Sequence, residues 1–250
     1  MSDTIKLYLD HRQTPVDHTA EDFSWMEGAD ALVIDPCRCS PGQFDGMPVE
    51  RAVILGGDPL LDAPWRERAG LWVCDQGLEA TAKLRDLHPT LQWIPKLKVS
   101  RAEVSYRFSG PAIGEGFSFY MPDTSAIQGW RVSGSDLSFA ETLERATALG
   151  FEALWLHSPD AASRNKGLDL DLLDKTSTGP WEIWLSGGIA GTGHMRNLAR
   201  VGGAAAVVVE SALAARCSLA SLREALLLAA ATPQAVPVAF APRNPELGPH

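Results

Sequence analysis

The sequence lacks a long uninterrupted apolar segment and an N-terminal export signal. No apolar run approaches the ~18 residues that a membrane-spanning helix needs. The longest candidate, residues 219–236, is broken by charged residues and by Pro233. Residues 1–6 do not begin the pattern of a secretory leader, in which a basic stretch precedes an apolar one. The sequence therefore predicts neither a membrane span nor export.

Basic charge and cysteine are also scarce. The chain has 22 Lys and Arg residues against 31 Asp and Glu residues, which gives a net charge of −9. This balance excludes the broadly basic surface of a general nucleic-acid binder, although it leaves room for one local anion site. The four cysteines, Cys37, Cys39, Cys74 and Cys217, contain a single C-x-C pair, which is a weak metal signal. We therefore expect free thiols, no metal, no cofactor and a cytoplasmic location.

Short apolar runs recur along the chain. Its 250 residues can form one large domain or two small ones, and a hydrophobic content of 45% is enough for a sizeable core. Short, continuously apolar runs are typical of strands that are buried on both faces. Eight such runs lie at residues 5–10, 31–35, 52–56, 71–74, 116–120, 153–156, 182–185 and 205–209.

Helical patterns lie between several of these runs. In residues 138–149, Ser138 and Glu141 have the spacing of a capping box, and Gly150 follows as a C-terminal cap. Apolar stripes predict further helices over 192–201 and 218–231. Alternating strands and helices predict a parallel sheet. Eight strands fit a (β/α)8 barrel, with a doubly wound open sheet as the alternative.

Two segments do not fit this alternation. Five prolines after residue 232 predict an extended tail over residues 233–250. Residues 91–115 contain strand-like stretches between the fourth and fifth predicted strands. They indicate an inserted hairpin or extended loop.

The most informative segment is the glycine-rich turn at residues 186–191, Ser-Gly-Gly-Ile-Ala-Gly, between an apolar strand and a helix. Glycines let backbone N–H groups approach an anion closely, and a helix N-terminus adds a favourable dipole. A tight strand-to-helix turn also favours glycine. The local sequence supports both interpretations about equally.

With its surroundings, this turn resembles the HisA/HisF family, the isomerase and cyclase barrels of histidine biosynthesis. In that family the seventh strand ends in S-G-G-I or a close variant, which residues 186–189 match. Other similarities, each weak alone, are collinear over residues 4–230. They are Gly129-Trp130 before the helix at 138–149, Asp10 on strand one, Asp35 on strand two, and Gly56-Gly57 at the end of strand three.

The resemblance implies a single (β/α)8 TIM barrel of the ribulose-phosphate-binding type over residues 1–232, rather than an open sheet. It also implies ligand binding at the C-terminal ends of the strands. Two phosphate sites are implied, one after strands three and four and one after strands seven and eight. The substrate-binding residues expected from these sites are Ser186, Gly187, Gly188, Ser211, Gly56 and Gly57.

The chain departs from the family where phosphates would bind. Asp58 and Asp75 follow the third and fourth strands, and Glu210 follows the eighth at a position where the family has glycine. With Asp10 and Asp35, these side chains predict an acidic mouth of the barrel. We therefore expect at most one phosphate site, after strands seven and eight, and a divergent paralogue of the histidine-pathway enzymes.

The family resemblance also places acid/base residues. HisA uses one carboxylate at the end of strand one, matched by Asp10, and another after strand six. For the second position, Asp160 lies within one residue of the family's acid, and His157 at the strand end is suited to act as an acid near neutral pH. We predict Asp10, Asp160 and His157 as catalytic residues. The alternatives are a salt-bridged Asp10 and a structural His157. Asp35 and Asp123 are predicted to line the substrate pocket.

These features predict an isomerase or lyase that acts on a small phosphorylated metabolite. The sequence resembles divergent HisA/HisF-related proteins of organisms with methanogen-type one-carbon cofactors, which implies a role in making a methanopterin- or methanofuran-type cofactor. One alternative is a non-catalytic barrel that binds a metabolite, a partner protein or a second copy of the chain. The other is a divergent phosphoribosylformimino-aminoimidazole carboxamide ribotide isomerase of histidine biosynthesis.

Overall fold

Eight parallel strands close into a barrel in the computed structural model. The structure describes residues 4–13, 23–45, 47, 52–56, 65, 69–101, 106–107, 121–122, 129–176 and 179–230. The barrel strands are β1 (Lys6–Asp10), β2 (Ala31–Ile34), β3 (Ala52–Gly56), β4 (Leu71–Cys74), β5 (Gln92–Arg101), β6 (Ala153–His157), β7 (Glu182–Ser186) and β8 (Ala206–Glu210). Each strand pairs in parallel with the next, and β8 pairs with β1. The predicted barrel is confirmed over the open sheet.

The fifth barrel strand differs from the sequence prediction. β5 pairs in parallel with β4 and β6, so Gln92–Arg101 belongs to the barrel and not to an insertion over 91–115. Residues 116–120, predicted as the fifth strand, lie outside the described part. The sequence pattern did not indicate a barrel strand here because Lys96 and Lys98 interrupt the apolar run. Both lysines occupy positions of β5 that face the mouth of the barrel.

β5 continues beyond the barrel. Its last residues pair antiparallel with a short strand, Trp130–Val132, so that Val99 lies opposite Val132 and Arg101 opposite Trp130. A separate antiparallel pair joins Tyr106–Arg107 to Met121–Pro122. The pairing with Trp130–Val132 places the end of β5 beside the segment that precedes the helix beginning at Phe139.

Side chains alternate between the inside of the barrel and its helical shell. The buried inner cluster includes Tyr8, Val33, Ile54, Val73, Ile94, Trp155, Trp184 and Val208. A larger buried cluster, including Leu7, Leu9, Leu32 and Leu185, packs on the other face of the strands. The interior formed by the described strands is therefore a filled core, as in other barrels of this architecture, whose ligands bind at the ends of the strands.

Within the described ranges, the helices with described bounds are α1 (Leu78–Leu87), α2 (Phe139–Ala148), α3 (Pro159–Arg164), α4 (Leu170–Thr176), α5 (Thr192–Val201), α6 (Ser211–Ala214) and α7 (Leu219–Ala230), with 3-10 turns at Ser24–Met26 and Pro41–Phe44. α2, α5 and α7 confirm the three predicted helices. The capping box at the start of α2 forms as predicted. Of the helices within the described ranges, none combines the length and apolarity that crossing a membrane requires. The predicted tail at 233–250 lies outside those ranges.

Candidate active site

A cluster of ionised side chains lies at the C-terminal ends of β1, β4 and β5. Arg12, two residues past β1, joins its two carboxylates. Nε and Nη2 of Arg12 donate hydrogen bonds to Asp10 at 2.9 and 2.8 Å, and Nη1 donates to Asp75 at 2.7 Å. The side chains of Arg12 and Asp10 are only 9% and 11% exposed. Arg12 therefore ties the end of β1 to the end of β4.

Gly56 at the end of β3 makes room for this arginine. A Cβ atom at Gly56 would lie 2.7 Å from Cδ of Arg12 and 3.1 Å from its Nη1. The structure thus gives Gly56 a packing role beside the ion cluster, whereas the sequence predicted contact with substrate. Gly57, predicted together with it, lies outside the described residues.

Lys96 on β5 completes the cluster. Its Nζ lies 3.8 Å from Oδ2 of Asp10 and 4.0 Å from Oδ1 of Asp75. It also lies 4.1 Å from the ring centroid of Trp155, and Cζ of Arg12 lies 5.0 Å from the same centroid. Both cations of the cluster therefore lie against the ring of one tryptophan that fills the barrel.

The surroundings shift the pKa values of these groups. Burial raises the pKa of Asp10, but hydrogen bonds and charge from Arg12, helped by Lys96, outweigh burial and hold it below its usual value. Burial lowers the pKa of Lys96, and the positive charge of Arg12 lowers it further against the opposing effect of the two carboxylates. Asp10 is therefore ionised at neutral pH. A larger fraction of Lys96 than of an exposed lysine is in the neutral amine form at that pH.

His157, at the end of β6, belongs to a buried hydrogen-bond chain. Nε1 of Trp155 donates to Oγ of Ser186 at 2.7 Å, and that Oγ lies 2.9 Å from Nδ1 of His157. The hydroxyl accepts from Trp155 and has one proton of its own to donate; in the tautomer in which that proton goes to Nδ1, the imidazole proton lies on Nε2. Ser186, predicted to bind substrate, thus orients His157.

The charge state of His157 differs from the prediction of an acid near neutral pH. Burial, followed by the charges of Lys96 and Lys98, lowers its pKa to about 4. The imidazole is therefore neutral at pH 7. It is suited to donate an N–H hydrogen bond or accept a proton, rather than to act as an imidazolium acid.

Asp160 lies on α3, away from the contacts of the ion cluster. Its Oδ2 accepts a hydrogen bond from the backbone N–H of Arg101 at 2.8 Å, which joins α3 to the extension of β5. Asp35 caps its own loop, with Oδ1 accepting from the N–H of Cys37 at 2.9 Å. Asp123 lies outside the described residues. Of the three predicted catalytic residues, the structure brings Asp10 and His157 to the mouth.

The glycine-rich turn after β7 is tightly packed. Gly187 and Gly188 have φ angles of +99° and +87°, which favour glycine. A Cβ atom at Gly187 would collide with the carbonyl oxygen of Ser158, and one at Gly188 with that of Gly167. Packing and backbone conformation thus require both glycines, as the tight-turn interpretation expects.

A small cavity nevertheless lies beside this turn. It has a volume of about 70 Å³ and is lined by Gly187, Gly188, Glu210 and Arg216, with the short helix α6 at one side. Glu210 is exposed and shares the cavity wall with the Arg216 cation. Ser211 instead donates to the carbonyl oxygen of Asp10 at 2.9 Å, so it links β8 to β1.

A larger cavity, of about 320 Å³, opens beside β5. Lys96 and Asp75 from the ion cluster line it, together with Lys98, the start of α1 and residues 133–135 before α2. A cavity of this size has room for a small molecule, and the side chain of Lys96 forms part of its wall.

Sequence reasoning missed two residues of this site, Arg12 and Lys96. Lys96 carried a readable signal, because Ile94, Lys96 and Lys98 occupy alternate positions and therefore share one face of a strand. Arg12 lies two residues from Asp10, but its other partner, Asp75, is 63 residues away and gave no local signal. Only the closed barrel brings them together.

The closed parallel barrel, with helices between and after its strands, defines the class as a (β/α)8 barrel. One solved structure with this fold is 3-hexulose-6-phosphate synthase from Salmonella typhimurium, at 12% identity and a TM-score of 0.57, covering 90% of this chain and 100% of that one.

Thiamine phosphate pyrophosphorylase from Pyrococcus furiosus is similar to the same extent. It is 13% identical with a TM-score of 0.57, and the match covers 91% of this chain and 98% of that one. At such identities the likeness shows the fold alone. No protein-family model matches the chain, and no curated protein matches it in sequence.

Proposed function

We propose that this protein is an isomerase or lyase that acts on a small phosphorylated metabolite at the C-terminal mouth of its barrel. The observation that carries the proposal is the ion cluster of Asp10, Arg12, Asp75 and Lys96 beside a cavity of about 320 Å³. Both structural neighbours named above are named for phosphorylated small molecules, which supports this substrate class.

The proposed chemistry is proton transfer next to a carbonyl group. Asp10, ionised at neutral pH, is the base that removes a proton. Neutral His157 donates a hydrogen bond from Nε2 and polarises the carbonyl oxygen, in the role that the sequence assigned to an acid. The positive charge of Lys96 stabilises negative charge on that oxygen. The alternative that the sequence predicted, Asp160 as the acid, is disfavoured by the hydrogen bond that holds its carboxylate on the backbone of Arg101.

The phosphate is proposed to occupy the small cavity after β7 and β8. Gly187, Gly188 and the start of α6 line it, and Arg216 contributes a cation. Its location after the seventh and eighth strands is the usual phosphate site of this fold. Asp75 is paired with Arg12 where the histidine-pathway family has Gly-Thr, which favours one phosphate site over the two that the histidine isomerase needs.

The finer assignment follows from the resemblance to HisA/HisF-related proteins alone. On that basis the metabolite is proposed to be an intermediate in the synthesis of a methanopterin- or methanofuran-type cofactor.

A second candidate is a non-catalytic barrel that binds a metabolite or a partner protein. Arg12 satisfies Asp10 with two hydrogen bonds, and a purely structural cluster would also be paired in this way.

A panel of small phosphorylated aldehydes and ketones, each with its dephosphorylated counterpart, separates the two candidates. We expect one phosphorylated member to raise the unfolding temperature, because a ligand at 100 times its Kd stabilises by about 2.7 kcal/mol, and mass spectrometry to show its conversion. Asp10→Asn should bind this compound but convert it at least ~100-fold more slowly. Equal conversion by this variant, or no binding by any member, would contradict the proposal.

A further inference from the structure

Lys96 occupies a position that its ion pairs do not explain. It lies on a barrel strand with only 11% of its side chain exposed, whereas the other five lysines of the chain are exposed. Burying an ammonium group is costly, so such a lysine needs a structural or a chemical reason.

Neutralising the charges of Asp10 and Asp75 is not a sufficient reason for the burial of Lys96. Arg12 already donates hydrogen bonds to both carboxylates at 2.7 to 2.9 Å. Nζ of Lys96 stays 3.8 and 4.0 Å from them, beyond hydrogen-bond distance. The amine is therefore held near the carboxylates without being bonded to them.

The space beside Lys96 admits a reactant. Lys96 lines the cavity of about 320 Å³, together with Lys98, Ser133 and Ser135. The burial of Lys96 and the neighbouring charge of Arg12 lower its pKa, which raises the fraction of nucleophilic amine at neutral pH. Desolvation and an adjacent cation are the two ways in which proteins activate a lysine towards carbonyl compounds.

We propose that Lys96 is a nucleophile that forms a Schiff base with the carbonyl carbon of an aldehyde or ketone metabolite. This inference rests on the proposed function for its substrate class. The Nζ lone pair forms the C–N bond while the carbonyl π electrons move to oxygen. Two protons of the original ammonium leave with that oxygen as water, and the third remains on the iminium nitrogen.

The iminium ion then acts as an electron sink, because its nitrogen accepts the electron pair of a bond that breaks at the adjacent carbon. Removal of a proton from the adjacent carbon, or cleavage of a C–C bond to it, sends an electron pair to the iminium nitrogen and gives an enamine. The carboxylates of Asp10 and Asp75 lie close enough to stabilise the iminium charge and to take the proton. A proton then returns to the enamine carbon and restores the iminium ion, and one water molecule adds to the iminium carbon, which releases the carbonyl product and returns the Lys96 amine.

Formaldehyde with cyanoborohydride tests this reactivity at pH 7, because formaldehyde is the smallest carbonyl probe and needs no specific recognition. Peptide mass spectrometry gives a methylation rate for each lysine. We expect Lys96 to react faster than all five exposed lysines. A rate order that follows exposure, with Lys96 slowest, would overturn the proposal.

Trapping with glycolaldehyde phosphate and borohydride provides the second arm. The reduced adduct should form on the peptide that contains Lys96, persist in the matched control Lys98→Arg, and disappear in Lys96→Arg, which keeps the charge but cannot form an imine. Adducts spread evenly over the lysines, or unchanged labelling in Lys96→Arg, count against it.

The outcome is separable from that of the proposed function. If the panel metabolite is converted and Lys96 reacts in neither arm, covalent catalysis is wrong and acid/base catalysis stands. If Lys96 forms the adduct and no metabolite of the panel binds, the reactive amine stands and the proposed function fails.

Discussion

At the scale of single residues, the mouth of the barrel is defined by long-range pairing. Arg12 is held by carboxylates 2 and 63 residues away, and the ring of Trp155 lies against both Arg12 and Lys96. Arg12 and Lys96 lower the pKa of Asp10 against the effect of burial, and Arg12 lowers the pKa of Lys96 in the same direction as burial. The site therefore acts as one electrostatic unit.

His157 supplies a pH-dependence prediction at this scale. Its pKa is about 4 in the folded protein and near 6.5 when unfolded. Between these values the unfolded chain binds a proton that the folded chain does not, so the stabilisation present above pH 6.5 is lost as the pH falls towards 4. We expect His157→Asn to lose less unfolding free energy than the wild type between pH 7 and pH 5, as measured by urea denaturation.

The imidazole can also be observed directly. NMR titration of His157 should show a midpoint near pH 4. A midpoint near 6.5, or equal pH sensitivity of the variant and the wild type, would show that burial does not keep this imidazole neutral.

At the scale of secondary-structure elements, β5 connects the site to the rest of the barrel. Its barrel half carries Lys96, and its extension pairs with Trp130–Val132 and with the first turn of α3. The elements most easily read from the sequence were the strands with continuous apolar runs. β5 was missed because Lys96 and Lys98, which face the mouth, interrupt the apolar run that identified the other strands.

Asp160 provides the prediction at this scale. Because its carboxylate accepts a hydrogen bond from the backbone of Arg101, Asp160→Ala should lower the unfolding free energy by about 1 kcal/mol. Turnover of the panel metabolite should stay within about threefold of the wild type, since Asp160 has no contact with the ion cluster.

Asp136→Ala is a suitable control for this variant, because Asp136 is an exposed carboxylate in the turn before α2. It should change neither quantity measurably. Loss of turnover in Asp160→Ala with unchanged stability would instead support the catalytic role that the sequence predicted for Asp160.

At the scale of the whole molecule, folding pairs some of the excess carboxylates with cations that are distant in the sequence. The sequence predicts a mouth rich in carboxylates that would repel a phosphate. In the barrel, Arg12 and Lys96 approach Asp10 and Asp75 closely enough to offset much of that charge. Strand count and strand-helix alternation predicted the barrel, whereas the charge pairing depends on closure, which no local pattern reveals.

The central claim is that this mouth transfers protons on a small phosphorylated carbonyl compound, and solvent exchange tests it most directly. The compound found in the panel is incubated in D2O and its C–H signals are followed by NMR. The wild type should exchange the proton next to the carbonyl, and Asp10→Asn, with an unfolding transition near that of the wild type, should not. Exchange at equal rates in both, or no exchange in the wild type while the compound is bound, would contradict the account.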